Sequence, residues 1–213
     1  MAEEIRELEI PPLGLGAFLG LPEAARGLVL FAHGSGSSRF SPRNSFVARE
    51  LRRAGFATLL FDLLSAEESA DRRKVFDIGL LADRLLAATR WARSKPELAA
   101  LPFGYFGAST GAAAALVAAA RDALVRAVVS RGGRPDLARE ALALVRAPTL
   151  LIVGGNDPAV LELNEAALSA LGGRAELRIV PGAGHLFEEP GAIDQVVDHA
   201  REWFRRWLTK QAP

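Results

Sequence analysis

The chain has 213 residues, half of them hydrophobic, with 26 Lys and Arg against 25 Asp and Glu and no cysteine. That length and balance fit one soluble globular domain and exclude a disordered chain. The net charge of +1 leaves no field that would select nucleic acid or an anionic membrane, and the missing cysteines remove disulfides, thiolate metal sites and a cysteine nucleophile together.

In chain order, the first expected elements are two short strands, residues 5–10 and 15–21, split by Pro11-Pro12 and read as an antiparallel hairpin at a sheet edge. The continuous apolar run 28–32 predicts a strand covered on both faces. A helix is expected over 44–54, stopped by Gly55, and a strand over 56–61 ending at Asp62. Apolar spacing predicts one long helix over 73–94. A strand over 102–108 follows, then an Ala-rich helix over 110–121, a strand over 125–130 and a short helix over 137–145. The pattern closes with a strand over 148–153, a helix from about 159 to 171, a strand over 175–180 and an amphipathic helix over 192–208.

Repeated strand–helix alternation builds a parallel sheet with helices on both faces, because right-handed crossovers place them there. No linker or repeat divides the chain, so a single domain over 1–213 is expected. The small-apolar run at 111–120 has half the length of a spanning helix, and no basic, apolar and cleavage-site sequence opens the chain. A cytoplasmic address, without membrane or nucleic-acid partners, is the expectation.

Gly107-Ala-Ser-Thr-Gly111 carries the chemistry. It fits G-x-S-x-G between a strand and a helix, where a sharp turn exposes Ser109 and only glycine fits on either side. The amide N–H groups at the start of the following helix then face developing negative charge. Serine needs a base, and there are three histidines: His33, His185 and His199. His185 lies in the glycine-rich loop after the 175–180 strand, where parallel sheets place functional groups. His199 falls on the polar side of the last helix, and His33 ends the first core strand, where hydrogen bonds would shape its turn.

The base needs a carboxylate, and Asp157 follows the 148–153 strand. The order Ser109, Asp157, His185 is that of α/β-hydrolases. Asp62 is the rival carboxylate, in the wrong order. Asp157 could alternatively cap the helix that Pro158 opens. The oxyanion donors expected are the backbone N–H groups of Thr110 and Ser35, with Gly36 in reserve. Arg131 and Arg134 after one strand, and Arg39 beside the Ser35 loop, are candidates to bind a substrate anion or to form structural ion pairs. Of these Arg131 is the first choice. No His/Asp/Glu spacing suggests a metal, and no cofactor is implied.

Together these residues resemble the serine α/β-hydrolases over nearly the whole chain, and within them the small, capless dienelactone-hydrolase-like branch. His33-Gly-Ser-Gly-Ser-Ser-Arg-Phe-Ser-Pro-Arg-Asn44 and Ser130-Arg-Gly-Gly-Arg-Pro-Asp136 look like stretches of bacterial members, some fused to a phosphoribosyltransferase domain that is not expected here. The resemblance implies a mostly parallel sheet of about eight strands without a cap domain, and ester hydrolysis through an acyl-serine. Dienelactone hydrolases proper use cysteine where this chain has Ser109, which favours a general carboxylesterase. The expected partner is a small ester of short to medium acyl chain, and the expected state a monomer or homodimer. A thioesterase, an acyltransferase or a silent binding protein on the same fold stays open.

Overall fold

A computed structural model describes residues 5–208. It contains one eight-stranded sheet: β1 (Ile5–Ile10), β2 (Leu15–Gly20), β3 (Leu28–Ala32), β4 (Ala57–Phe61), β5 (Phe103–Ala108), β6 (Ala127–Arg131), β7 (Thr149–Gly154) and β8 (Ala175–Val180). The spatial order is β1-β2-β4-β3-β5-β6-β7-β8. β1 pairs antiparallel with β2 and β2 antiparallel with β4; every pair from β4 to β8 is parallel. β3 to β7 are buried throughout, which explains their unbroken apolar runs.

Five longer helices cover the sheet: α1 (Pro42–Arg53), α2 (Ile78–Arg93), α3 (Thr110–Arg121), α4 (Pro158–Ala170) and α5 (Ala192–Trp207). On one face Val47 and Leu51 of α1 pack with Val196, Ala200 and Phe204 of α5. On the other, Leu81 and Leu85 of α2 meet the alanines of α3 and Ala167 of α4. The small side chains of α3 let it sit against the middle of the sheet, buried from Thr110 to Ala119. Among the described residues no helix is long and apolar enough to cross a membrane.

Three expectations are corrected. The helix foreseen over 73–94 is broken. Short turns at Ala66–Ser69 and Arg72–Val75 precede α2, because the Asp71 and Asp77 carboxylates accept backbone N–H groups and start new helical segments. Apolar spacing cannot see such caps. The helix foreseen over 137–145 is a 3₁₀ stretch, Pro135–Leu144, interrupted at Arg139 with φ 47°. α1 begins two residues earlier than foreseen: Ser41 accepts from Asn44 N–H at 3.3 Å and Pro42 fills the first turn.

The parallel register carries the function. Ala32 pairs with Gly107, Ala108 with Arg131, and Gly154 with Val180. The strands therefore end together, and the loops after β3, β5, β6, β7 and β8 gather at one rim. The loop after β6 goes directly into the 3₁₀ stretch, with no inserted cap.

Candidate active site

Ser109 stands between β5 and α3 at φ 50°, ψ −120°, a strained conformation for a residue with a side chain. The flanking glycines explain how the turn closes. A Cβ on Gly107 would lie 2.8 Å from the Ala112 nitrogen, and one on Gly111 would lie 2.7 Å from the carbonyl carbon of Ala32. Gly107 thus admits the start of α3, whereas Gly111 lets α3 press onto the end of β3. The Ser109 carbonyl accepts from Ala112 N–H at 3.0 Å and Arg134 N–H at 3.2 Å, which ties the elbow to the β6 loop.

Asp157 and His185 come from neighbouring loops laced to each other. Asn156 donates its amide N–H to Ala183 O and its side-chain N–H to Gly182 O, each at 2.9 Å. A Cβ on Gly154 would stand 2.6 Å from the Gly184 oxygen. Across this seam His185 Nδ1–H donates to Asp157 Oδ2 at 2.7 Å. The carboxylate can only accept, so Nδ1 is the donor of this bond and Nε2 takes no part in it. Asp157 occupies the cap position of α4 but makes no side-chain cap bond.

Ser109 and His185 line one pocket of about 240 Å³. No hydrogen bond joins them among the described residues, a state common in unliganded sites that tighten around substrate. The His185 side chain is 38% exposed, so water reaches the ring directly. Buried Phe187, held at φ 55°, anchors this histidine loop.

The two expected oxyanion donors differ in availability. Thr110 N–H begins α3 and faces the elbow. Ser35 N–H, expected to be free, instead donates to Thr110 Oγ1 at 2.9 Å. His33 supports this loop: its Nδ1–H donates to Gly34 O at 3.0 Å and its Nε2 accepts Leu63 N–H at 3.1 Å. Both ring nitrogens are used in the neutral form, and burial lowers the His33 pKa below its ordinary value of 6.5. His199, half-buried on α5, lies with Glu176 and Arg178 and away from Ser109.

The arginine candidates separate cleanly. Arg39 is corrected as a substrate residue. Its guanidinium pairs with Asp62 and Glu7, its backbone N–H donates to Asp62 at 2.7 Å, and it stacks over Phe18 and Phe40. That also occupies Asp62, the rival carboxylate. Arg134 is held by both oxygens of Asp136, at 2.8 and 2.7 Å. Arg131 is 7% exposed, lines the Ser109 pocket and has no carboxylate partner among the described residues. A buried charge stripped of its partner costs about 3–5 kcal/mol. Burial, with Arg43 close by, lowers the Arg131 pKa to about 10. Arg43 and Asn44 also line this pocket and were not singled out from sequence; Ser41-Pro42, read as a cap and first turn, would have placed them there.

A second cavity of about 290 Å³ opens on the other side of the Ser35 loop, lined by His33, Leu63, Leu64, Val75 and Leu81. A larger one, about 650 Å³, lies against Arg6, Glu9, Trp91 and Lys95 at the β1–β2 edge and is lined by neither Ser109 nor His185. Among the described residues no group of acidic residues and histidines could hold a metal.

Comparison with known proteins adds to this geometry. A model of the Dienelactone hydrolase family matches residues 15–209. A Mycobacterium tuberculosis protein described as "Putative phosphoribosyl transferase Rv0571c" is 60% identical over 203 residues, which cover 95% of this chain and 46% of that one. The chain therefore spans about half the length of this relative. The crystal structure of a dienelactone hydrolase from Anabaena variabilis superposes with a TM-score of 0.92 at 54% identity, covering 97% of this chain and 98% of that one. Est1E from Butyrivibrio proteoclasticus gives a TM-score of 0.79 at 16% identity, over 96% and 98% of the two chains, a likeness of fold.

Proposed function

The chain belongs to the dienelactone hydrolase family, and we propose that it is a serine carboxylesterase working through an acyl-enzyme on Ser109. The observation that carries this is the 2.7 Å bond from His185 Nδ1 to Asp157, which engages one ring nitrogen of a histidine that lines the same pocket as Ser109. In the proposed reaction His185 Nε2 takes the Ser109 proton as Oγ attacks the ester carbonyl. The imidazolium so formed is stabilised by Asp157. The carbonyl oxygen becomes an oxyanion, to which Thr110 N–H and Ser35 N–H donate. His185 then returns the proton to the leaving alcohol, and water repeats both steps on the acyl-serine.

Ser35 N–H reaches the oxyanion by leaving Thr110 Oγ1. A charge-assisted bond is stronger than one to a neutral hydroxyl, so the developing charge favours the exchange. Short to medium acyl groups suit the pocket of about 240 Å³ that Ser109 and His185 line. The mycobacterial relative's description names a different transfer. The 203 aligned residues are 46% of that protein's length, and ester cleavage is the reaction that the Ser109, Asp157 and His185 rim of this chain supports.

The test is a series of p-nitrophenyl esters of increasing acyl length, run on wild type and Ser109→Ala. The expected outcome is highest kcat/KM on short acyl groups and a loss on the order of 10⁴ or more in kcat for the variant. Undiminished turnover by Ser109→Ala would reject the reading. Better turnover of the matching thioester, or transfer to an added alcohol, would move the assignment to a thioesterase or acyltransferase.

A further inference from the structure

β8 closes one end of the sheet, and among the described residues no strand pairs with its outer edge. Its inner edge stays in register with β7, from Thr149 opposite Ala175 to Gly154 opposite Val180. Thr149 N–H donates to Arg174 O at 2.8 Å, and Gly155 N–H donates to Val180 O at 2.9 Å. The even-numbered residues of β8 therefore turn their backbone groups toward β7, while Ala175, Leu177 and Ile179 each turn an N–H and a C=O outward. Such a row invites another strand unless the chain guards it. β8 contains neither proline nor lysine, and Ile179 is 45% exposed.

The side chains select the strand that fits. A two-fold axis perpendicular to the sheet keeps every side chain on its own face, so antiparallel self-pairing must centre on one residue facing its own copy. Centred on Glu176 or on Arg178, pairing sets like charges against each other. Centred on Leu177, it sets Glu176 opposite the partner's Arg178, Arg178 opposite the partner's Glu176, and Ala175 opposite the partner's Ile179. The free backbone groups suit that register. Leu177 with its copy and Ala175 with Ile179 become the hydrogen-bonded pairs. Glu176 and Arg178 become the non-hydrogen-bonded pairs, where facing side chains come closest. Glu176 accepts from its own Arg178 at 3.0 Å and from Arg206 at 3.4 Å, which holds its carboxylate on that face of the edge. β1, at the other end of the sheet, has the opposite character. Centred on Arg6, Glu7, Leu8 or Glu9, self-pairing of Ile5–Ile10 always opposes two like charges. One edge is guarded against its own copy, and the other is complementary to it.

We propose that β8 pairs antiparallel with β8 of a second copy of this chain, about a two-fold axis at Leu177, joining two eight-stranded sheets into one. About six main-chain hydrogen bonds form, one from each outward N–H. Two pairs of Glu176 with Arg178 fix the register. On the opposite face Ala175, Leu177 and Ile179 of both copies form one apolar strip, which continues the packing of Ala175 and Leu177 against the core that includes Ala167 of α4. The axis reverses the strand direction, so the two Ser109 rims lie at opposite ends of the doubled sheet, each complete within its own chain. A single strand pair is a small interface, which sets the Kd at roughly 1–100 μM.

Sedimentation of the whole chain from about 1 to about 300 μM tests this. The mass should rise from that of one chain toward twice that value. Glu176→Arg and Arg178→Glu should each weaken self-association by roughly tenfold or more, because either change turns both cross-strand pairs repulsive. Mixed in equal amounts, the two variants should dimerise with each other, since one carries two arginines and the other two glutamates along the facing row. A wild type that stays single at the highest concentration overturns the proposal. So does a dimer that either variant leaves intact, or one that mixing fails to restore. Should a variant not fold, hydrogen exchange in the wild type decides. Mass spectrometry of the peptide spanning 174–180 should show the outward amides exchanging roughly fivefold slower at about 300 μM than at about 1 μM, and exchange independent of concentration overturns the pairing. Neither readout uses ester turnover, so this proposal and the esterase reading stand or fall separately.

Discussion

Asp157 stands at the cap position just before α4, where an aspartate would ordinarily bond the helix end, and instead spends its carboxylate on His185, 2.7 Å away in the next loop. An acceptor can satisfy the helix or orient the imidazole. Here the lacing of Asn156 to Ala183 and Gly182 brings the imidazole within reach, and the helix end goes without.

Asp157→Asn follows directly. The carboxylate makes no cap bond to α4, and asparagine keeps an oxygen acceptor for His185 Nδ1–H, so stability should change by no more than about 1 kcal/mol. The amide offers either an oxygen or a nitrogen to His185 Nδ1 but carries no charge to stabilise the imidazolium. Turnover should fall by roughly 10²–10⁴. Chemical denaturation beside ester kinetics checks both halves.

Ser109→Gly should act oppositely on stability and on activity. Ser109 holds φ 50°, a region that glycine enters freely and serine does not. Removing the side chain should raise the unfolding free energy by about 1 kcal/mol and abolish turnover. Urea unfolding curves of the two proteins settle the sign.

Thr110→Val removes the acceptor that holds Ser35 N–H in the resting state while keeping the side-chain volume. The loop amide then loses its registration over the elbow. The expected result is a fall in kcat of roughly tenfold with KM little changed, smaller than the 10²–10³ lost with an oxyanion donor itself. Steady-state kinetics on one neutral ester reads it.

Stability should also depend on pH through His33. Burial holds its native pKa below 6.5, so between that value and 6.5 the unfolded chain binds a proton that the native protein does not. Its contribution is constant above about pH 6.5 and is lost as pH falls. His199 is shifted the same way, by burial and Arg178. Unfolding free energy measured from pH 7 to 5 should decline less steeply in His33→Gln, and less steeply again with His199→Gln added.

The fold was legible because the buried strands of a parallel sheet are written as short apolar runs, and the loops after β5, β7 and β8 as glycine-rich turns holding Ser109, Asp157 and His185. What spacing could not show was local. Asp71 and Asp77 break a helix whose apolar period runs on past them. Arg139 interrupts another with a positive φ that the sequence does not announce. The Ser35 amide looked free because its partner, the Thr110 hydroxyl, lies 75 residues away. The three arginines Arg39, Arg131 and Arg134 were alike as letters; only burial and the positions of Asp62, Glu7 and Asp136 distinguish the unmatched one.

The most direct measurement is intact-protein and peptide mass spectrometry after reaction with a fluorophosphonate. An activated Ser109 should take up one equivalent, with the adduct on the peptide containing Gly107-Ala-Ser-Thr-Gly111, and His185→Ala should slow the labelling by orders of magnitude. A wild-type protein that hydrolyses esters with Ser109 unlabelled, or that labels equally fast without His185, would contradict the account.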